Sequence, residues 1–297
     1  LFKLKKKINS SDIAFYIGPI INSAARLGHH DLPIKLFTEN NLNNVKVISK
    51  KLISLNEKRK LIQKELFDKL NQKISVMPDE AIFIYEDNIN VGLLGIISGK
   101  LVELYEKPSF ILTKVNNLIK CSSRSLNNFD IGKLFNKAID KKILLNGGGH
   151  SMAGGCTLKK DKLHDFKKFI NYEFKKNFKK KEITYYSCEL SLNSLKSFAK
   201  FDFQKLEPFG NKNISPFFLI KNNRIIKHKI LNKLHLQIII KNNYNVSCMC
   251  VLFYAVGTKL GDFLINYKKK VDLIVQINSK VIKKNSDFNL IIKDVIA

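Results

Sequence analysis

The spacing of apolar and charged residues predicts a long helix followed by an α/β region. From residue 43 to about 76, apolar residues recur at steps of three, four or seven, typical of an amphipathic helix that Pro78 would end. From 81 to about 160, short apolar runs alternate with helical patterns. The expected strands are 81–85, 109–113 and 117–121, and the expected helices are 92–106 and 131–139.

The remainder of the chain predicts one more helix and then a small β-domain. Residues 163–178 place apolar side chains on one helical face, and the lysine-rich opposite face ends at residues 179–181. After turn residues Pro208, Gly210 and Pro216, helical pattern is scarce and five β-like runs follow within about eighty residues, as in an OB-type barrel. These runs are 217–220, 234–240, 246–253, 271–277 and 288–295.

Charge indicates an affinity for polyanions without proving it. Lysine and arginine number 52 against 25 aspartates and glutamates, a net charge of +27, which favours salt-dependent binding of nucleic acid. A chain this rich in lysine, asparagine and isoleucine also fits an AT-biased coding sequence, which raises lysine content regardless of function. Whether the charge reflects nucleic-acid binding must therefore be judged from the positions of the basic residues.

Other sequence features bear on the cellular compartment of the protein and on whether the chain is a fragment. No apolar run approaches the roughly 18 residues needed to cross a bilayer, and the first residues lack a signal-peptide pattern, so we expect a cytoplasmic protein without membrane contact. Five cysteines match no zinc spacing and are expected to be reduced thiols. Because the chain starts with leucine and a motif follows at once, we expect a fragment of a longer protein.

A glycine-rich segment is the densest chemical signal. It starts at Asn146 and places five of the chain's 14 glycines within nine residues. Backbone N–H groups of Gly147, Gly148 and Gly149 can form a concave nest for phosphate, and a helix beginning beyond His150 would add its positive end. His150 can also donate to a bound anion. The alternative is a tight turn with a core histidine.

Two further segments place arginine among small polar residues. Ser122 and Arg124 follow an apolar strand, and a guanidinium offers forked donors to phosphate oxygens while a serine hydroxyl adds another donor. Asn22 and Arg26 lie in a run of small residues that permits close approach, so Arg26 is a candidate anion contact. The alternatives are an ordinary turn for the first segment and a capping or interdomain arginine for the second.

Together these segments resemble the RecJ family of single-strand-specific exonucleases, in the order of the second half of its nuclease core, its DHHA1 domain and its OB domain. The matching runs are Asn22 to Gly28, Leu55-Asn56-Glu57-Lys58-Arg59, Gly92-Leu93-Leu94-Gly95-Ile96-Ile97, Ser122-Ser123-Arg124-Ser125 followed by Phe129-Asp130, Gly147 to Gly155, and Leu206-Glu207-Pro208-Phe209-Gly210. The departures are Ile20 and Asn90, where the family has arginine and histidine, and Ala25 and Lys212, where it has glycine.

The resemblance implies an α/β fold: a DHHA1-like α/β domain preceded by a long connecting helix and followed by a small OB-type β-barrel. The expected divisions are 1–40 for the end of the nuclease core, 41–78 for the connecting helix, 79–182 for the DHHA1-like domain, 183–205 for a linker and 206–297 for the OB domain.

The resemblance also implies a function, a 5′–3′ exonuclease for single-stranded DNA in repair and recombination. Arg26, Ser122 and Arg124 would contact the terminal 5′ phosphate. Asn22 and the segment Gly147, Gly148 and Gly149 would handle phosphate as well, and His150 would be the catalytic candidate beside the scissile bond. Single-stranded DNA is the implied partner, with a single-strand-binding protein or a helicase as further candidates.

The metal chemistry of the family is not expected in this chain. The family uses Mn²⁺ or Mg²⁺ held by motifs that end in Asp-His-His, and no such run occurs here. His29-His30-Asp31 has the reverse order and is interpreted as a coincidence, and Asp12 with Asp31 cannot form a dinuclear site alone. We therefore expect no metal ligands here and no activity from the chain by itself.

Two other functions remain open. A different DHH/DHHA1 phosphoesterase, acting on short oligoribonucleotides or cyclic dinucleotides, would explain the glycine segment but not the last ninety residues. A non-catalytic module that binds single strands would explain the charge and the barrel.

Overall fold

The computed structural model describes residues 8, 12–74, 80–126, 129–178, 185–210, 212–267, 269–277 and 289–296. The chain divides into two compact units, one of residues 1–7 and 13–181 and one of residues 8–12 and 182–297. The predicted helix stop at Pro78 and the lysine run at 179–181 lie outside the described residues.

The first unit begins with helices. A short π-helical turn at Ile13–Ile17 leads into α1 (Gly18–Arg26), α2 (Asp31–Thr38) and α3 (Leu42–Asn71), which confirms the predicted long helix. At its start, the Asn41 side chain accepts hydrogen bonds from the backbone N–H groups of Asn43 and Asn44. With 30 residues, α3 is about 45 Å long. Its N-terminal half packs on α1 and α2 through a small core of Ile20, Ala24, Leu32 and Leu52.

A five-stranded sheet forms the rest of this unit. Its strands are β1 (Ile82–Tyr85), β2 (Ser109–Val115), β3 (Leu118–Arg124), β4 (Asn146–His150) and β5 (Ala153–Lys159), in the order β1-β2-β3-β5-β4. Only β1 and β2 pair in parallel. The helices are α4 (Val91–Tyr105), α5 (Ile131–Asp140) and α6 (Leu163–Asn177).

Alternation along the strands produces two cores, one on each face of the sheet. Leu94, Ile97 and Leu101 of α4 pack on Ile82 and Ile111. The neighbouring strand residues point the other way, toward a phenylalanine-rich core made with α5 and α6 that contains Phe110, Phe135, Phe166 and Phe174. The unit is therefore a helix–sheet–helix sandwich, in agreement with the predicted α/β class.

The glycine segment corrects one prediction. Instead of a nest that leads into a helix beyond His150, the segment is strand β4, a two-residue turn and strand β5, with His150 paired to Ala153. Pairing of β5 along the whole of β3 draws these glycines into the sheet. The helix that begins beside the hairpin is α5, whose Ile131 N–H donates to the Ser151 carbonyl over 2.9 Å.

The second unit is a closed barrel of OB topology. Its elements are β6 (Cys188–Glu189), α7 (Leu192–Phe201), β7 (Phe217–Leu231), β8 (His235–Lys241), β9 (Ser247–Leu252), α8 (Lys259–Asn266), β10 (Lys270–Ile277) and β11 (Asn289–Ile296). The strands run β10-β11-β9-β8-β7, and β7 pairs back with β10 to close the barrel. All five predicted strands are present, and β7 is far longer than its predicted run.

Helices are scarce in this segment, as expected: among the described residues after 216, α8 alone is helical. It has eight residues, lies between the third and fourth barrel strands and is capped by the Thr258 hydroxyl. Helix α7, in the segment predicted as a linker, buries Leu192, Leu195 and Ala199 in the barrel core. Among the residues that the structure describes, no helix is both long and apolar enough to cross a membrane.

Candidate phosphate-binding site

The candidate site lies at the start of α4, where α1 ends against it. The Asn90 side chain caps α4 by accepting a hydrogen bond of 2.8 Å from the Gly92 N–H. A Cβ on Gly92 would lie 2.6 Å from the Arg26 carbonyl oxygen, so only glycine permits this approach. The Arg26 Nη1 donates to the Gly92 carbonyl over 2.7 Å. These contacts hold the Arg26 guanidinium at the first turn of α4.

Ser122 and Arg124 lie beneath α4 on strand β3. Both point to the α4 face, because they alternate with the buried Cys121 and Ser123. A Cβ on Gly95 of α4 would lie 2.9 Å from the Arg124 Nη2 and 3.0 Å from the Ser122 hydroxyl. The Arg124 Nη1 donates to its neighbour's carbonyl, that of Ser123, over 2.8 Å. The absence of a side chain at Gly95 thus leaves room for the Arg124 guanidinium and the Ser122 hydroxyl side by side.

A third arginine, Arg59, lies close to the other two, and it was not among the predicted site residues. Arg59 of α3 donates through Nη2 to the Asn56 side chain over 2.7 Å and through Nη1 to Gln63. Its Nε is buried with no hydrogen-bond partner among the described residues. Asn56 and Gln63 are almost fully buried. Polar residues at spacings of three and four on the buried face of an amphipathic helix were the signal that could have identified Arg59.

The positive charge of Arg26 acts on the guanidinium groups of both Arg59 and Arg124. Burial and then the positive charge of Arg26 lower the pKa of Arg59, and the negative charge of Glu57 opposes part of this shift. Burial and then the charge of Arg26 lower the pKa of Arg124 in the same way. Within the described part of the chain, no carboxylate forms an ion pair with any of the three. A bound anion would relieve this repulsion, which favours a multiply charged group such as phosphate.

The glycine hairpin extends the same face of the sheet. Ser122 pairs with Gly155, and Gly155 pairs with Gly148, so the three residues form one row across the sheet. At strand spacings of about 4.8 Å, Gly148 is about 10 Å from Ser122. A Cβ on Gly148 would meet nothing within 4 Å. The sheet surface at Gly148 is therefore uncovered backbone, and we call it the open floor.

The remaining predicted residues occupy different places around this floor. His150 is exposed and lies on the same face, two residues further along β4, in the row that crosses Ala153 and reaches Arg124. Asn22 is exposed in α1, one helical turn before Arg26. A Cβ on Gly147 would lie 2.9 Å from the Cys156 Cβ, and one on Gly149, whose φ is +156°, would collide with the Ala153 carbonyl. Gly147 and Gly149 thus permit the hairpin, and Gly148 faces the site.

The described residues do not fit a divalent metal centre. They contain no group of three or more His, Cys, Asp or Glu side chains able to hold an ion. Asp31, next to the two histidines at 29 and 30, forms an ion pair with Lys35 over 2.7 Å, and this contact lowers the pKa of Asp31. The arrangement can bind and orient a phosphate, and it offers no ligand set of its own for Mn²⁺ or Mg²⁺.

Comparison with protein families identifies both domains. The DHHA1 domain family matches residues 78–176, and the RecJ OB domain family matches residues 186–294. The single-stranded-DNA-specific exonuclease RecJ of Haemophilus influenzae is 26% identical over 175 residues, which are 56% of this chain and 30% of that protein. RecJ of Bacillus subtilis is 23% identical over 245 residues, 79% of this chain and 31% of that protein. The chain thus spans about a third of the length of these relatives.

Two solved structures share the fold over nearly the whole chain. The structure of Thermus thermophilus RecJ in complex with Mg²⁺ has a TM-score of 0.78 at 20% identity and covers 97% of this chain and 44% of that one. The structure of the same protein with Mn²⁺ has a TM-score of 0.75 at 21% identity. At this identity the similarity shows the fold.

Proposed function

We propose that this chain, which belongs to the RecJ family through its DHHA1 and RecJ OB domains, is the strand-binding portion of a cytoplasmic 5′–3′ exonuclease specific for single-stranded DNA. It would act in DNA repair and recombination, with a single-strand-binding protein or a helicase as candidate partners. The observation that carries the proposal is the cluster of three arginines at the start of α4, none of which forms an ion pair with a carboxylate of the described residues.

The charge of this cluster suits the end of a strand better than its interior. A terminal phosphate carries nearly two negative charges at neutral pH, because its second pKa is about 6, whereas an internal phosphodiester carries one. In the proposal, Arg26, Arg124 and Ser122 bind the terminal phosphate, and Arg59 adds positive charge behind them. The 5′ polarity is taken from the family resemblance.

The open floor at Gly148 would let the next phosphate approach the backbone closely. His150 and Asn22, both exposed, are proposed as hydrogen-bonding contacts to the strand, with His150 nearest the bond to be cleaved. In this role the chain contributes orientation, which lowers the barrier only when the reacting groups are also present.

Hydrolysis would require the divalent ions of the family. The 297 residues contain no Asp-His-His run, and the described residues form no metal-ligand cluster. We propose that the ions are held by an Asp-His-His segment that is not among these residues, and that the chain alone is inactive. A cyclic-dinucleotide or oligoribonucleotide phosphoesterase would use the same glycine hairpin, but it would leave the five-stranded barrel without a role.

A degradation assay tests this proposal. A 3′-labelled single strand with a 5′ phosphate is incubated with Mn²⁺ and either the 297-residue chain or the chain joined to the Asp-His-His domain of a RecJ relative. We expect shortening from the 5′ end only with the joined protein. Metal-dependent release of mononucleotides by the chain alone would refute the proposal that the metal ions are held by a segment outside these residues. His29, His30 and Asp31 would then be re-examined as ligands. A joined protein that degrades only short oligoribonucleotides would favour the second candidate.

A further inference from the structure

A lysine of strand β3, Lys120, lies on the same face of the sheet as the candidate site. It precedes Ser122 by two residues, so the alternation along the strand places both side chains on the α4 face. Lys120 pairs with Thr113 of β2, whose hydroxyl accepts a hydrogen bond of 3.1 Å from the Ile89 N–H just before α4 begins. On the other side, the Lys120 ammonium donates to the hydroxyl of Thr157 on β5 over 2.8 Å. The side chain therefore reaches from β3 onto β5, near the start of α4.

The ammonium of Lys120 borders the open floor. Thr157 pairs with Lys120 on one side and with Asn146 on the other, which forms one row across the sheet. The next row on the same face is the one that joins Ser122 to Gly148. Because two residues of a strand extend about 7 Å, the two rows are about 7 Å apart. A cation that reaches β5 is therefore within one row of the uncovered backbone.

The Lys120 ammonium is held in place and still has donors for a ligand. Thr157 is almost fully buried in the sheet, so its hydroxyl is a fixed anchor for the lysine. An ammonium carries three N–H donors, and this contact uses one of them. Among the residues that the structure describes, Lys120 forms no other hydrogen bond and no ion pair with a carboxylate. A positioned cation with unused donors, next to accessible backbone, is suited to binding an anion.

We propose that Lys120, anchored by Thr157, binds the first phosphodiester that follows the terminal phosphate of the strand. This inference rests on the proposed function, in which the arginine cluster holds the terminal phosphate and the next phosphate lies on the open floor. A lysine ammonium is a compact point charge, which suits a diester with one negative charge, whereas forked guanidinium groups suit the doubly charged end. The site would therefore select for the charge of the first linkage as well as for that of the terminal phosphate.

The test removes the charge of one linkage at a time. Binding of 5′-phosphorylated dT strands to the 297-residue chain is measured by fluorescence anisotropy. One strand is unmodified, one has a neutral methylphosphonate at its first linkage, and one has it at a linkage far from both ends. Lys120→Met keeps an apolar stem and removes the ammonium. We expect it to weaken binding of the unmodified strand by about 5- to 10-fold, between the values for exposed and desolvated charge pairs, and to make the log–log salt slope shallower by about 0.7.

The modified strands then show which phosphate Lys120 contacts. With a neutral first linkage, Lys120→Met should cause no further loss of affinity, because the charge that the ammonium binds is already absent. With a neutral linkage far from the ends, the substitution should cause the full loss.

Lys114→Met is the matched control on the neighbouring strand. Lys114 is exposed and pairs with the core residue Ile119, so it lies on the opposite face of the sheet. Its substitution should cause no loss that depends on the first linkage. The anchor is tested with Thr157→Val, which removes the hydroxyl and should reproduce part of the linkage-dependent loss, and with Thr157→Ser, which keeps the hydroxyl and should retain the parent affinity. Thermal unfolding of each variant checks that the sheet is intact.

Two results would overturn the role of Lys120. One is an equal loss on the unmodified strand and on the strand with a neutral first linkage, since Lys120 would then attract DNA without contacting that phosphate. The other is unchanged affinity of Lys120→Met for the unmodified strand. If the parent chain still preferred a 5′-phosphorylated strand to its 5′-hydroxyl counterpart, the proposed function would survive either result. If the parent chain bound none of these strands, the proposed function would fail as well.

Discussion

Replacing Gly95 by alanine tests whether the space between α4 and β3 serves phosphate binding. The new methyl group would lie 2.9 Å from the Arg124 Nη2 and 3.0 Å from the Ser122 hydroxyl, closer than carbon normally approaches either atom. Both obstructing atoms end side chains that can rotate, so the helix can keep its position while the guanidinium moves. We therefore expect the fold to persist and the phosphate contact to weaken.

The two expected effects have opposite signs. Alanine is favoured over glycine inside a helix by about 0.5 to 1 kcal/mol, which raises the melting temperature of a unit of this size by about 1 to 4 °C. Loss of one charge-assisted hydrogen bond costs about 1.5 to 3 kcal/mol, equivalent to a roughly 10- to 150-fold weaker affinity for a 5′-phosphorylated strand. Steric adjustment will offset part of the gain in stability, so the melting temperature should change little or rise.

Gly99→Ala is the matched control in the same helix. A Cβ on Gly99 approaches only the Arg124 Cγ, at 4.0 Å, so this variant gains helix propensity without entering the site. Affinities for 5′-phosphorylated and 5′-hydroxyl strands are measured for both variants, together with thermal unfolding. The reasoning is refuted if Gly95→Ala keeps the full preference for the phosphorylated end, or if Gly99→Ala loses the same preference.

Three further predictions concern other parts of the molecule. Arg124→Ala should weaken binding of a 5′-phosphorylated oligonucleotide by about 10- to 150-fold and that of its 5′-hydroxyl counterpart much less; equal losses would make Arg124 a general backbone contact. The chain should bind single strands in preference to blunt duplex, with a log–log salt slope of about −0.7 per phosphate neutralised, and equal affinity for duplex at moderate salt would contradict this. Glu86 accepts from Lys69 and Lys73, and these bonds lower its pKa. Its stabilising effect is thus present above its ordinary pKa of about 4.3 and is lost as pH falls through the lowered value. Glu86→Gln should therefore reduce the melting temperature at pH 7, with the difference from the parent vanishing in acid; a difference independent of pH would exclude the ion pairs as its cause.

The sequence was sufficient to predict the type of an element where buried and exposed residues alternate with the period of a helix or a strand. The repeat along α3 and the apolar runs of the sheet and the barrel each place one face in a core, so their type could be predicted from neighbouring residues alone. The division of the chain at residues 40, 78, 182 and 205 stays a prediction.

Non-local contacts determine the parts that sequence missed. Consecutive glycines have no side chains, so they cannot show the alternation of apolar and polar residues that indicates a strand. β4 is a strand because it pairs with β5, which pairs on its other side with β3. Helix α8 has eight residues, too few for a helical period to stand out among strands. The proposed roles of Ser122, Arg124 and Arg26 came from short motifs. Arg59 also lies in a matching run, 55–59, but that run did not show that α3 packs beside α1 and brings Arg59 near Arg26.

Strand β4 also bears on self-association. It lies at an edge of its sheet, so one side of its backbone is not hydrogen-bonded to any other described strand. An exposed edge of this kind can recruit a strand from a second copy and start aggregation, especially when it is long and rich in β-branched residues. β4 has five residues, three of them glycines with low strand propensity. The glycines that leave the sheet surface open at Gly148 therefore also make this edge a poor template for another chain.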